Sequence, residues 1–185
     1  MGRRQDPNDA PVRLRRHATD LGDGVFSAAV PQPDAVDAAD WRALLSFGSV
    51  LDEGEELTSP RVVDALAPSA VVMYHAMYER GGAAVVDALP GGRGWRAAVE
   101  AHPENERHLA VHEGHLVKAN PRDEPYVADL IPLASAGALT GTAEQVAARV
   151  RDFAAAGVTE VAYQPAGSDI ERELRAFASA TGIAD

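Results

Sequence analysis

Hydrophobic and polar positions change period several times along this 185-residue chain, and the clearest pattern lies in its last quarter. Val146, Val150, Phe153 and Ala154 fall on one stripe at helical spacing. Thr142 and Gln145 in front of them have the T-x-x-Q spacing of a capping box. Gly157 is placed to end that helix with a positive φ. Val158–Tyr163 is rich in β-branched and aromatic residues and predicts a strand. Gln164, Pro165, Ala166 and Gly167 then turn the chain. Ser168 and Glu171 repeat the capping-box spacing, and Ile170, Leu174 and Phe177 make the next apolar stripe. A short strand fed by a helix and feeding a helix is a β/α repeat rather than a hairpin. The loop QPAGS therefore leaves the C-terminal end of its strand, where parallel α/β folds place ligands. The amides opening the last helix can hold an anion such as phosphate, although every β/α unit needs a turn and most such turns bind nothing.

Upstream the pattern is coarser. Asp23–Val30 starts at a turn pair and runs into a short β-type segment, followed by a loop over Pro31–Asp40. Trp41–Leu51 is mostly apolar and predicts a buried strand, as in a parallel sheet covered on both faces. Asp52–Ser59 is an acidic loop. Ser59 can cap a helix whose first position suits Pro60. Pro68 then predicts an interruption, with Ser69 capping a second helix that ends near Tyr78 or Glu79, before Gly81 and Gly82. Ala83–Leu89 and Gly94–His102 read as short helical pieces. His108–Val117 has no clear period. Asn120–Leu139, with three prolines, reads as irregular apart from one turn near Tyr126.

Composition narrows the function classes. Apolar residues make up 46% of the chain, enough for one domain with a real core. There is no cysteine, which removes disulfides, thiolate-held clusters, Cys-based zinc sites and Cys nucleophiles. The formal charge is −11, unevenly placed: residues 1–20 carry five Arg and three Asp, a net +2, leaving −13 on the rest. A body this acidic repels nucleic acid and anionic membranes, so neither is an expected partner. No uncharged apolar run reaches the length of a membrane span. The opening MGRRQDPNDAPVRLRR lacks the apolar core of a signal peptide. Residues 1–19 read as a poorly ordered basic segment, 20–185 as the folded domain, and the location as cytoplasmic.

Several side chains could carry chemistry. His108, His112 and His115 in ERHLAVHEGH would share one face if helical, as a three-histidine metal site requires. Gly114 weakens that helix, and HEGH is one residue short of the HExxH zinc motif. No metal is therefore expected, and His112 is the best single polar candidate for catalysis. His75, in VVMYHAMYE, reads as a neutral, hydrogen-bonded core histidine, with Met73, Tyr74 and Tyr78 as core. Asp52, Glu53, Glu55 and Glu56 follow a buried strand, where barrel enzymes place acids and bases; that duty needs one shielded carboxyl with a raised pKa. There is no Ser-His-Asp elbow, P-loop or G-x-G-x-x-G.

GTAEQVAARVRDFAAAGVTEVAYQPAGSDIERELRAFA resembles the C-terminal end of the luciferase-like flavin-dependent monooxygenases, a superfamily with a branch that uses coenzyme F420. Members share a Gly-Thr-x-Glu-x-Val helix start, here Gly141, Thr142, Glu144 and Val146. They continue through Ala-Gly-Val, here Ala156, Gly157 and Val158, into a strand. A closing helix of the Arg-Glu-Leu-x-x-Phe kind follows, here Arg172, Glu173, Leu174 and Phe177. GDGVF (Gly22–Phe26), YHAMYERGG and ERHLAVHEGHLV are similar to further segments of the family.

The resemblance implies an α/β fold forming part of a (β/α)8 TIM barrel, its C-terminal half, since a closed barrel takes about 250 residues. It implies FMN or coenzyme F420 as cofactor, with Gln164, Gly167 and Ser168 as contacts and His112 facing a small-molecule substrate. Where members carry a Gly-Pro phosphate turn, this chain has Arg13, Arg15 and Arg16, which can pair with phosphate by charge. The expected function is that of a flavin- or F420-dependent oxidoreductase or monooxygenase, truncated or divergent. The alternative is a non-catalytic relic of the same fold, in which a second copy or another chain supplies the missing strands.

Overall fold

In a computed structural model, the residues that can be described are 24–28, 40–114 and 118–183. The basic opening, Arg13, Arg15, Arg16, His17, most of the first loop and His115 lie outside them. The described chain is α/β, with six helices and a three-stranded parallel sheet. It divides into two compact units, one of residues 1–46 and 148–163, the other of residues 47–147 and 164–185.

The first unit holds the sheet, in the order β1 (Gly24–Ser27), β2 (Trp41–Phe47) and β3 (Glu160–Gln164). Strands β1 and β2 pair in parallel, with Gly24 opposite Trp41 and Phe26 opposite Ala43. At the start of β3, the Thr159 amide donates to the Arg42 carbonyl at 3.0 Å, and the Arg42 amide donates to Thr159 Oγ1 at 2.8 Å. Consecutive residues Ala43 and Leu44 are both buried, so both faces of β2 are covered there, as the apolar run predicts. At the other end Trp41 is exposed, stacked on Phe26 at 6.5 Å, with its indole N–H donating to Glu160 at 2.8 Å.

The second unit is mostly helical: α1 (Pro60–Val86), α2 (Gly92–Glu100), α3 (Arg107–His112), α4 (Glu124–Ser135) and α6 (Ile170–Thr181). Its core joins Val62, Leu66 and Val71 of α1 to Trp95 and Val99 of α2 and to Val127, Leu130 and Ile131 of α4. Tyr74 stacks on Trp95 at 5.2 Å, and its hydroxyl donates toward the carbonyls of Pro90 (2.5 Å) and Tyr126 (3.1 Å). Burial lifts the Tyr74 pKa to about 12. After β2 the chain continues as a short parallel ladder within this unit: the Leu139 amide donates to the Phe47 carbonyl at 2.8 Å and the Leu51 amide to the Gly141 carbonyl at 2.9 Å. The predicted strand to Leu51 is thus split at Phe47. Helix α5 (Ala143–Ala155) runs through the boundary between the units.

Five details differ from the pattern-based expectation. Pro68 does not interrupt α1, which runs on until Gly82 breaks it at φ 71°, ψ −168°. Burial of Leu66 through Val71 offsets the one hydrogen bond that proline removes. Ser69 is accordingly a buried residue inside the helix rather than a cap. Residues 124–135, read as irregular, form the amphipathic helix α4 with Pro125 in its first turn, a position that needs no N–H. On α6 the cap is Asp169, whose side chain accepts the Arg172 amide at 3.0 Å, not Ser168. The buried face of α6 carries Glu173 and Phe177, leaving Ile170 and Leu174 exposed. The T-x-x-Q box forms as predicted: the Thr142 amide donates to Gln145 at 2.9 Å and the Gln145 amide to Thr142 Oγ1 at 3.3 Å.

Candidate functional site

A groove of about 750 Å³ opens in the second unit between the first turns of α1, the start of α4 and the turn that follows β3. Its size lies within the range of small-molecule sites. Val63, Ala67, Pro68 and Val127 give it an apolar wall, and Asp64, Glu124 and Lys118 bring charge. Gly167 and Ser168 of the QPAGS turn also line it. Gly167 adopts φ +89°, and a Cβ there would lie 2.9 Å from both the Ala65 Cα and a carboxylate oxygen of Asp64. Only glycine lets the turn approach α1 this closely without strain. The approach brings the Ser168 amide to Asp64 Oδ2, to which it donates at 2.6 Å.

That contact bears on the expected phosphate site. Of the amides at this turn and helix start, that of Ser168 is taken by the Asp64 carboxylate and that of Arg172 by the Asp169 side chain. Glu124 adds a second negative charge to the same groove, against one lysine among the described residues that line it. These residues do not fit a phosphate-bearing cofactor at this turn.

The other expected site residues stand apart from the groove. Gln164 ends β3 half-buried and does not line it. His112 is the last residue of α3, exposed, with Nε2 2.7 Å from Glu79 Oε1. Its ring lies edge-on to that of His75 at 5.5 Å. His75 is buried in the core, tilted against Trp95 at 5.8 Å. His108 lies four residues before His112 on α3 and is exposed. Among the described residues no group of three or more His, Asp or Glu side chains could hold a metal ion.

The acidic loop after the β2 ladder is bound into an ion-pair network. Arg61 grips Glu55 with two donors, Nε to Oε1 at 2.8 Å and Nη2 to Oε2. The hydrogen bond from this guanidinium lowers the Glu55 pKa from 4.5 to about 2. A carboxylate held ionised in this way is the opposite of the raised acid that general acid catalysis needs. Asp52 accepts from Arg172 Nη2 at 2.6 Å.

At the centre of the network is a residue that the sequence places in a motif but whose burial and pairing it does not reveal. Glu173 is 2% exposed, and its Oε1 accepts from Arg61 at 2.5 Å and from Arg172 at 3.0 Å. Its Oε2 is buried with no hydrogen-bond partner among the described residues. The two guanidiniums also converge on the Val50 carbonyl, at 3.1 and 2.8 Å. No local sequence signal marks this pairing, since Arg61 and Glu173 are far apart in the chain; only the Pro60-Arg61 helix start and the RELR run hint at charged groups there.

Compared with models of known protein families, with curated proteins and with solved structures, the chain has no match.

Proposed function

We propose that this chain is a partner-dependent, small-molecule-binding domain of the luciferase-like partial-barrel kind, and that alone it is not a flavin- or F420-dependent oxidoreductase. The observation that carries the reading is the 2.6 Å hydrogen bond from the Ser168 amide to Asp64. A phosphate seated at this turn would lie within about 4 Å of the Asp64 carboxylate, and like charges at that distance repel by roughly 1–4 kcal/mol. The exposure of Ile170 and Leu174 on α6 supports a need for further chain, from a second copy or another protein. A reduced flavin also requires water to be excluded, which an open groove does not provide.

A second reading has one observation in its favour: Gly167 and Ser168, two of the three residues implied as cofactor contacts, line a groove large enough for a small molecule. On that reading the bound flavin or deazaflavin supplies the redox chemistry, and the protein's part is to hold and shield it. Titration of the purified chain with FMN and with F420, followed by cofactor fluorescence, separates the two. The expected result is no saturable binding of either; saturable binding of either one overturns the proposal in favour of the oxidoreductase.

A further inference from the structure

The groove's charged and polar wall holds two carboxylates, Asp64 and Glu124, beside Lys118 and the hydroxyls of Thr58 and Ser168. Asp64 spends one carboxylate oxygen, Oδ2, on the Ser168 amide and keeps Oδ1. Glu124 brings a second carboxylate. Pro68, which lines the same groove, has no N–H, so the Asp64 main-chain carbonyl lacks the donor that position 68 of a helix would otherwise provide. Among the described lining residues Lys118 is the one cation, and their formal charge is −1. Val63, Ala67, Pro68 and Val127 give the wall an aliphatic part.

We propose that this groove binds a small organic monocation, an ammonium group carried on an apolar body. The ammonium would donate to Asp64 and Glu124 while the apolar part covers the aliphatic wall. Charge-assisted hydrogen bonds of this kind are the stronger class, and burial of the tail adds the apolar contribution. The inference rests on the groove being a small-molecule site, as the proposed function does, and it adds the sign of the ligand's charge.

Three probes with one hexyl tail test it by isothermal titration of the full chain: hexylammonium, 1-hexanol and hexanoate. Hexylammonium is expected to bind, and hexanoate to bind at least about tenfold more weakly. Because the whole chain is acidic, the same titration is repeated on Glu124→Gln and Asp64→Asn, with circular dichroism as the check on folding. Each variant is expected to weaken hexylammonium about fivefold to tenfold while leaving hexanol unchanged. Glu124→Gln carries the test where Asp64→Asn disturbs the QPAGS turn. Hexanoate binding as tightly as hexylammonium, an affinity unmoved in both variants, or no binding of hexylammonium would each overturn the inference. Hexylammonium binding together with a saturable FMN signal that it displaces would sink the proposed function and leave the ammonium site standing.

Discussion

Glu173 concentrates the electrostatics of the second unit in one side chain. Two guanidiniums share its Oε1, and burial denies it water. Truncation to alanine takes away the carboxylate that Arg61 and Arg172 share, leaving them Glu55, Asp52 and the Val50 carbonyl. We expect Glu173→Ala to cost about 3 kcal/mol in urea unfolding, in the range of broken buried pairs. Glu173→Gln keeps an acceptor for the guanidiniums and should cost clearly less. Equal losses for the two variants would show that packing, not charge pairing, is what Glu173 supplies. Glu55 makes a separate pH prediction. Its folded pKa is lowered, so its contribution is complete above 4.5 and is lost as pH falls toward 2. Solvent screens this surface pair, and the stability difference between the protein and Glu55→Gln should be about 1 kcal/mol at pH 7 and vanish by pH 2. A difference that persists at pH 2 would contradict the assignment. None of this was readable from the acidic loop itself, where four carboxylates in a row look alike; the distinction comes from Arg61, which only the folded chain brings to Glu55.

At the level of elements, legibility followed the strength of the local signal. The box Thr142–Gln145 and the strand after Gly157 were readable because capping and termination use neighbours in sequence. Helix α4 was missed because its prolines outweighed a periodic core of Val127, Leu130, Ile131 and Ala134. Pro125 sits in the first turn, where it costs nothing, and Pro132 near the end. The stripe on α6 was misplaced because a buried glutamate reads as polar in any periodicity count, so Leu174 was taken for the inward residue. Pro68 gave the same kind of error in α1, since its local penalty is overridden by tertiary burial. That account has a measurable consequence. Pro68→Ala restores the donor to the Asp64 carbonyl and loses part of a buried ring, for a net gain of about 1 kcal/mol in urea unfolding. A loss would mean that the ring's packing outweighs the missing hydrogen bond. The groove was half legible: Gly167 and Ser168 were singled out by their place after a strand, whereas Asp64, Lys118 and Glu124 carry no motif.

For the whole molecule, the α/β class was legible in the alternation of helix, strand and helix, and a parallel sheet is present. The described residues contain three strands, compatible with a partial α/β fold. No helix among them is long and apolar enough to cross a membrane. The proposal of dependence on further chain predicts self-association: light scattering should give a mass above the 19.5 kDa of one chain. The double variant Ile170→Glu, Leu174→Glu is expected to lower that mass. A strict monomer at all concentrations would restrict the partner to a different protein.

The chain's two tryptophans are divided between its two compact units. Trp95 lies at 0% exposure in the second, and Trp41 stands open to solvent in the first. Intrinsic fluorescence therefore carries two separable colours, a blue-shifted emitter and a red-shifted one. With phenylalanine at either position, a denaturation curve would report one unit at a time, and acrylamide should quench Trp41 long before it reaches Trp95. The protein thus comes already labelled for asking whether its two halves melt together.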